Sequence, residues 1–134
     1  MKFNGVIENK LRIIENKVAD IKSWNIKSYS DFKNSSLAQN AVERALQIAV
    51  EAMIDCSERI LSQLKVPPAA SGSENFDALQ KHGIISDAAI YKDMVRFRNF
   101  IVHRYEQIDP EIVYGIVSRK LNLFAKFVDE IRKS

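Results

Sequence analysis

The sequence predicts an all-α chain, folded as a five-helix, up-and-down-like bundle of four main helices and one short one. Three observations lead there. Apolar residues recur at spacings of three and four, the period of a helix with one buried face. No segment alternates apolar and polar residues as a half-buried strand would. Only four Gly and three Pro serve 134 residues, which leaves few turns and favours long elements.

The first helix is marked by Ile7, Leu11, Ile14, Val18 and Ile21, at alternating spacings of four and three. Trp24 and Ile26 close the segment, and the polar run from Ser28 to Ser36 is read as a break. A second helix spans about residues 36–65, with Ala41, Ala45, Ile48, Ala52, Cys56, Ile60 and Leu64 as its stripe and Val50, Met53, Ile54 and Leu61 widening it. Its many alanines predict close approach of neighbouring helices. Pro67-Pro68 ends it, because proline disfavours helical geometry in the residue before it and lacks an amide donor. Ser73 is placed to cap a short third helix over 74–82, with Gly83 suited to a left-handed position after it. Ser86 and Asp87 start the fourth, whose stripe is Ile90, Met94, Phe97 and Ile101. Asp109-Pro110-Glu111 starts the fifth: a cap, a proline at the first helical position and an acid at the positive helix end. Ile108 and Val113 are spaced for a hydrophobic staple across that start. Val113, Val117, Leu121, Phe124, Val128 and Ile131 then carry one helix to the C-terminus.

Length and composition describe a single domain over 1–134, with 46% hydrophobic and 28% charged residues, within the ordinary globular range. One cysteine, Cys56, excludes an internal disulfide and suits a reducing, cytoplasmic setting. No stretch approaches the ~20 apolar residues of a membrane span, so no membrane partner is expected. Net charge is +3, too small to argue for a polyanion by itself. Its distribution says more. Lys92, Arg96, Arg98 and Arg104 face the single acid Asp93 between residues 92 and 105.

That stretch carries the functional argument. Residues 96–105 read Arg-Phe-Arg-Asn-Phe-Ile-Val-His-Arg-Tyr. Imidazole is the side chain whose unperturbed pKa lies near neutrality, and guanidinium matches the geometry of a phosphate. Together they describe a site that holds a phosphodiester and moves a proton. Within the stretch, Arg98-Asn99, then His103, then Tyr105 form Arg-x4-His-x-Tyr with a polar residue after the arginine.

This motif, late in a small helical chain, resembles the signature of HEPN-domain ribonucleases, specifically the HepT-like toxins of bacterial and archaeal toxin–antitoxin pairs. The similarity covers the whole chain, so the bundle is expected to be HEPN-like. The resemblance implies metal-independent cleavage of RNA, without a cofactor, by a homodimer. Arg98 and His103 would be catalytic. Asn99, Tyr105, Arg96 and Arg104 would support the site or bind RNA. It further implies a cognate nucleotidyltransferase (MntA-like) antitoxin that attaches AMP to Tyr105. Phosphate and nucleoside there would fill the cleft and pair with its arginines.

Geometry adds a constraint of its own. At about 100° per residue, Arg98 and His103 lie roughly 140° apart around one straight helix. Arg96, Asn99 and His103 share one stripe, while Arg98 and Tyr105 share another. Either the helix bends or ends near residues 99–103, or a second subunit completes the site; the dimer is favoured. Rival readings stay open: a non-catalytic homodimeric module binding a nucleotide or a partner nucleotidyltransferase, or a structural bundle with a coincidental motif. Elsewhere structural roles are expected. Arg44, Gln47, Glu51 and Asp55 read as a solvent-facing stripe, with Glu51 or Asp55 the minority candidate for orienting Arg98. Met53, Met94 and Cys56 read as core, and His82 as a helix-end cation. Cys56, His82 and His103 lack metal-site spacing.

Overall fold

The heptad seam of the first helix is buried residue for residue. In the computed structural model, which describes residues 5–67, 69–103 and 109–134 with the side chains of Val102 and His103 excepted, α1 (Gly5–Ser23) buries Ile7, Leu11, Ile14, Val18 and Ile21. Seven helices occur among the described residues. The others are α2 (Tyr29–Lys33), α3 (Ser36–Gln63), α4 (Glu74–Lys81), α5 (Ala88–His103), α6 (Pro110–Arg119) and α7 (Leu121–Lys133).

Helix α3 is the central post and contacts α1, α2, α4, α5 and α6. It buries the expected Val50, Met53, Ile54 and Leu61 and also Val42, Leu46 and Ala49, so the apolar face extends one further row. Ala45, Ala49 and Ala52 are buried in it, as expected where helices approach closely. Helix α7 packs on α1, where Arg132 reaches Glu8 at 2.6 Å and Glu15 at 2.8 Å. At the far end, the rings of Phe76, Tyr91 and Phe127 meet at centroid distances of 5.2–6.0 Å. Edge contacts of this kind contribute about 0.5–1.5 kcal/mol beyond burial. Tyr91 is fully enclosed, yet its hydroxyl donates to Glu130 Oε2 at 2.7 Å. Glu130 Oε1 also accepts from Ser86 Oγ at 2.6 Å. One carboxylate thereby ties the start of α5 to the end of α7.

Three local expectations are corrected. The polar run after α1 contains α2, anchored by the buried ring of Phe32. Ser28 caps α2 by accepting from the Asp31 amide at 3.1 Å, and Gln39 Nε2 donates to the carbonyls of Phe32 and Lys33 at 3.0 and 2.9 Å. The C-terminal helix is two helices, broken at Lys120, whose φ is −123° and ψ 2°. Ser73 makes no side-chain cap to α4; Ser71 Oγ accepts from the Glu74 amide at 3.4 Å instead. Gly83 has φ +74°, as its place after α4 requires. Asp109 caps α6 by accepting from the Glu111 amide at 2.9 Å. The Ile108 half of the predicted staple lies outside the described residues.

Candidate active site on helix α5

The motif sits on a helix with three distinct flanks. Ala88, Tyr91 and Val95 face the core and are buried. Ile90, Phe97 and Ile101 are half-buried beside Met94. Asp93, Arg96, Asn99 and Phe100 face outward. The predicted stripe of Ile90, Met94, Phe97 and Ile101 is therefore a flank of α5, while the deepest side chains belong to a face one step round.

Arg98 continues that deep face, seven residues beyond Tyr91 and three beyond Val95. Its side chain is half-buried, and its Nε is enclosed with no hydrogen-bond partner among the described residues. An enclosed guanidinium donor without an acceptor is costly. It is a natural place for an anion to bind. Asn99 is exposed, and Arg96 is exposed and paired with Asp93 one turn earlier. Arg104 and Tyr105 lie outside the described residues, as does the His103 side chain. The backbone position of His103 is described: α5 remains helical through it. The helix therefore does not end between 99 and 103, and His103 occupies the Arg96–Asn99 stripe, about 140° round from Arg98.

Two further features escaped the sequence reading. Glu43, on α3, is buried at 9% exposure, one turn from Leu46. Its signal was weak, since a glutamate inside a long helix normally reads as a solvated position. The other is a cavity of about 390 Å³ against the half-buried flank of α5, walled by Leu46, Met94, Phe97, Ile116 and Phe124 and rimmed by charged side chains. No run of residues announces it, because four helices contribute.

Of the stripe expected to face solvent, Arg44 is exposed while Gln47, Glu51 and Asp55 are half-buried. Asp55 is paired with Lys10 at 3.2 Å, and Gln47 donates to Glu51 at 3.2 Å. Met53 and Met94 are buried. Cys56 is enclosed, and burial, with Glu8 and Asp55 nearby, pushes its thiol up to about 12. It is neutral at physiological pH and a poor nucleophile. His82 is exposed at the end of α4. Among the described residues there is no cluster of three metal-ligating side chains and no helix long and apolar enough to cross a membrane.

The family described as "Ribonuclease HepT-like" matches residues 14–131. A tRNA nuclease HepT of Aphanizomenon flos-aquae is 31% identical, over 94% of this chain and 87% of its own length. An mRNA nuclease HepT of Shewanella oneidensis is 30% identical, over 97% of this chain and 98% of its own. Among solved structures, the tri-AMPylated Shewanella oneidensis HEPN toxin in complex with its MNT antitoxin superposes with a TM-score of 0.91. It is 29% identical, over 98% of this chain and all of its own. The all-helical architecture, the motif on α5 and these similarities agree: the chain belongs to the HepT-like ribonuclease family.

Proposed function

We propose that this protein is a metal-independent endoribonuclease, the toxin of a toxin–antitoxin pair, acting in the cytoplasm as a single-domain homodimer. The observation that carries the reading is Arg98, a motif guanidinium whose enclosed Nε lacks an acceptor among the described residues, on the helix that also bears His103. A phosphodiester supplies that acceptor. His103 takes the proton from a ribose 2′-hydroxyl, or gives one to the departing 5′-oxygen. As the 2′-oxygen bonds to phosphorus the P–O5′ bond breaks, leaving a 2′,3′-cyclic phosphate and a 5′-hydroxyl. Arg98 offsets charge growing on the phosphoryl oxygens. Asn99 orients His103 or the phosphate, Arg96 and Arg104 steer the strand, and Tyr105 contacts a base or phosphate.

The divergence of the two motif residues supports the dimer. Arg98 and His103 diverge on one helix, so Arg98 of one protomer works with His103 of its partner across a two-fold axis. Phe100, 57% exposed beside Asn99, suits such an interface. The relatives point to control by a nucleotidyltransferase antitoxin that places AMP on Tyr105, putting anion and nucleoside where RNA would bind. Expression in a bacterial host is expected to arrest growth. Co-expression of a nucleotidyltransferase encoded beside it should relieve the arrest, with AMP on Tyr105. Arrest that persists in Arg98→Ala overturns the catalytic reading in favour of an interaction module.

A further inference from the structure

The cavity beside the motif is concave, largely apolar and charged at its mouth. Its volume, about 390 Å³, lies in the range of small-ligand sites, roughly 300–1,000 Å³. Phe97 supplies an aromatic wall and immediately precedes Arg98, so the cavity and the Arg98 guanidinium occupy adjoining flanks of α5. The mouth carries Asp93, Glu111, Arg119 and Lys120. Asp93 is neutralised by Arg96, whereas neither Arg119 nor Lys120 has a salt-bridge partner among the described residues. Arg119 folds over the bare backbone of Gly115, its Nη2 3.0 Å from where a Cβ would sit. Glycine thus leaves room for that guanidinium in the cavity wall.

We infer that this cavity is a nucleobase subsite, which takes one unpaired base of the RNA next to the scissile phosphate. The inference rests on the ribonuclease reading and deepens it. The base packs against Phe97 and the aliphatic wall, as bases stack on aromatic side chains in single-strand binders. Glu111 accepts from an exocyclic amino group, which favours adenine, cytosine or guanine over uracil. Arg119 and Lys120 draw the adjoining phosphate. The charge at the mouth fits this occupant better than an apolar face of a second copy. Phe100 is not part of the cavity and remains available for protein contact.

The test uses the full-length protein. Its isoleucine methyl groups are followed by NMR while cytidine or adenosine 5′-monophosphate is added to about 10 mM, the range expected for one weakly held base. Saturable shifts at Ile112 and Ile116, absent with ribose 5-phosphate, support the subsite. Equal shifts with ribose 5-phosphate, or none with either nucleotide, overturn it. So do concentration-dependent shifts at the same methyls without ligand, which would place a second copy there. A cleavage arm replaces each base of a cleaved oligonucleotide in turn by an abasic ribose. One position flanking the cut should slow cleavage about 10-fold, and Ile116→Trp, which fills the cavity, should abolish that dependence. Ile112 is 54% exposed, so Ile112→Ala keeps the test open if Ile116→Trp fails to fold. An abasic profile unchanged in a folded variant overturns the subsite even where RNA is cleaved. Nucleotide binding by a protein that leaves RNA intact removes the ribonuclease reading alone.

Discussion

Mixing two inactive variants tests the shared site directly. On α5 the Cα atom of His103 lies about 7.5 Å further along the axis than that of Arg98 and about 140° round it. Their side chains therefore diverge, and one protomer presents one of the two groups to a given phosphate. Arg98→Ala alone removes the charge stabiliser and His103→Ala the proton carrier; each should lower cleavage about 100-fold or more. Equal amounts of the two chains, co-expressed with different tags, pair at random and give half mixed dimers. Each mixed dimer has one site with both groups and one with neither. The mixture should recover about a quarter of wild-type activity, some 25-fold above either variant. The assay is cleavage of a labelled RNA after isolation of the doubly tagged dimer, which alone should reach about half of wild type. Background activity from a verified mixed dimer would refute the trans arrangement and place both groups in one chain.

Other consequences follow from the core. Burial raises the Glu130 carboxyl, but hydrogen bonds from Ser86 and Tyr91 and the charge of Lys126 outweigh it and hold it below its usual value. Its stabilisation is full above about pH 4.3 and fades as pH falls through the lower folded value. Tyr91→Phe should cost about 1–2 kcal/mol at pH 7 and less near pH 3, measured by urea unfolding; an equal cost at both would contradict the account. Cys56 should resist thiol reagents at neutral pH and react only at the rate of unfolding, followed by mass spectrometry with and without denaturant. Gly83→Ala should cost about 1 kcal/mol, because φ is +74° and nothing nearby would contact the added methyl; a neutral substitution in thermal melts would argue against it.

What could be read in advance was what is encoded locally. The seam of α1 is complete in the sequence, because one stripe meets one partner and its spacing alone selects the buried side. The Asp109-Pro110 start of α6 was equally plain, since capping involves neighbours in the chain. Helix α2 was hidden by its polar composition, although Ser28 with Asp31 three residues later is a capping pattern that marks it. The break at Lys120 has no proline or glycine, and the apolar stripe runs through it in phase, so only packing reveals it. Tyr91 and Glu130 meet across 39 residues, beyond any periodicity argument. In the motif, the residue types and spacing were legible, as was the divergence of Arg98 from His103. The inward turn of Arg98 was not, because it depends on which face of α5 the core takes. The cavity joins Leu46, Phe97, Ile116 and Phe124 from four helices, and a linear pattern holds no trace of that meeting.

The most direct measurement is cleavage of RNA by the purified protein in excess chelator, with wild type beside Arg98→Ala and His103→Ala. The account predicts that wild type cuts and leaves 2′,3′-cyclic phosphate ends, while both variants are at least about 100-fold slower. Equal cleavage by all three proteins, or none by wild type, would contradict it.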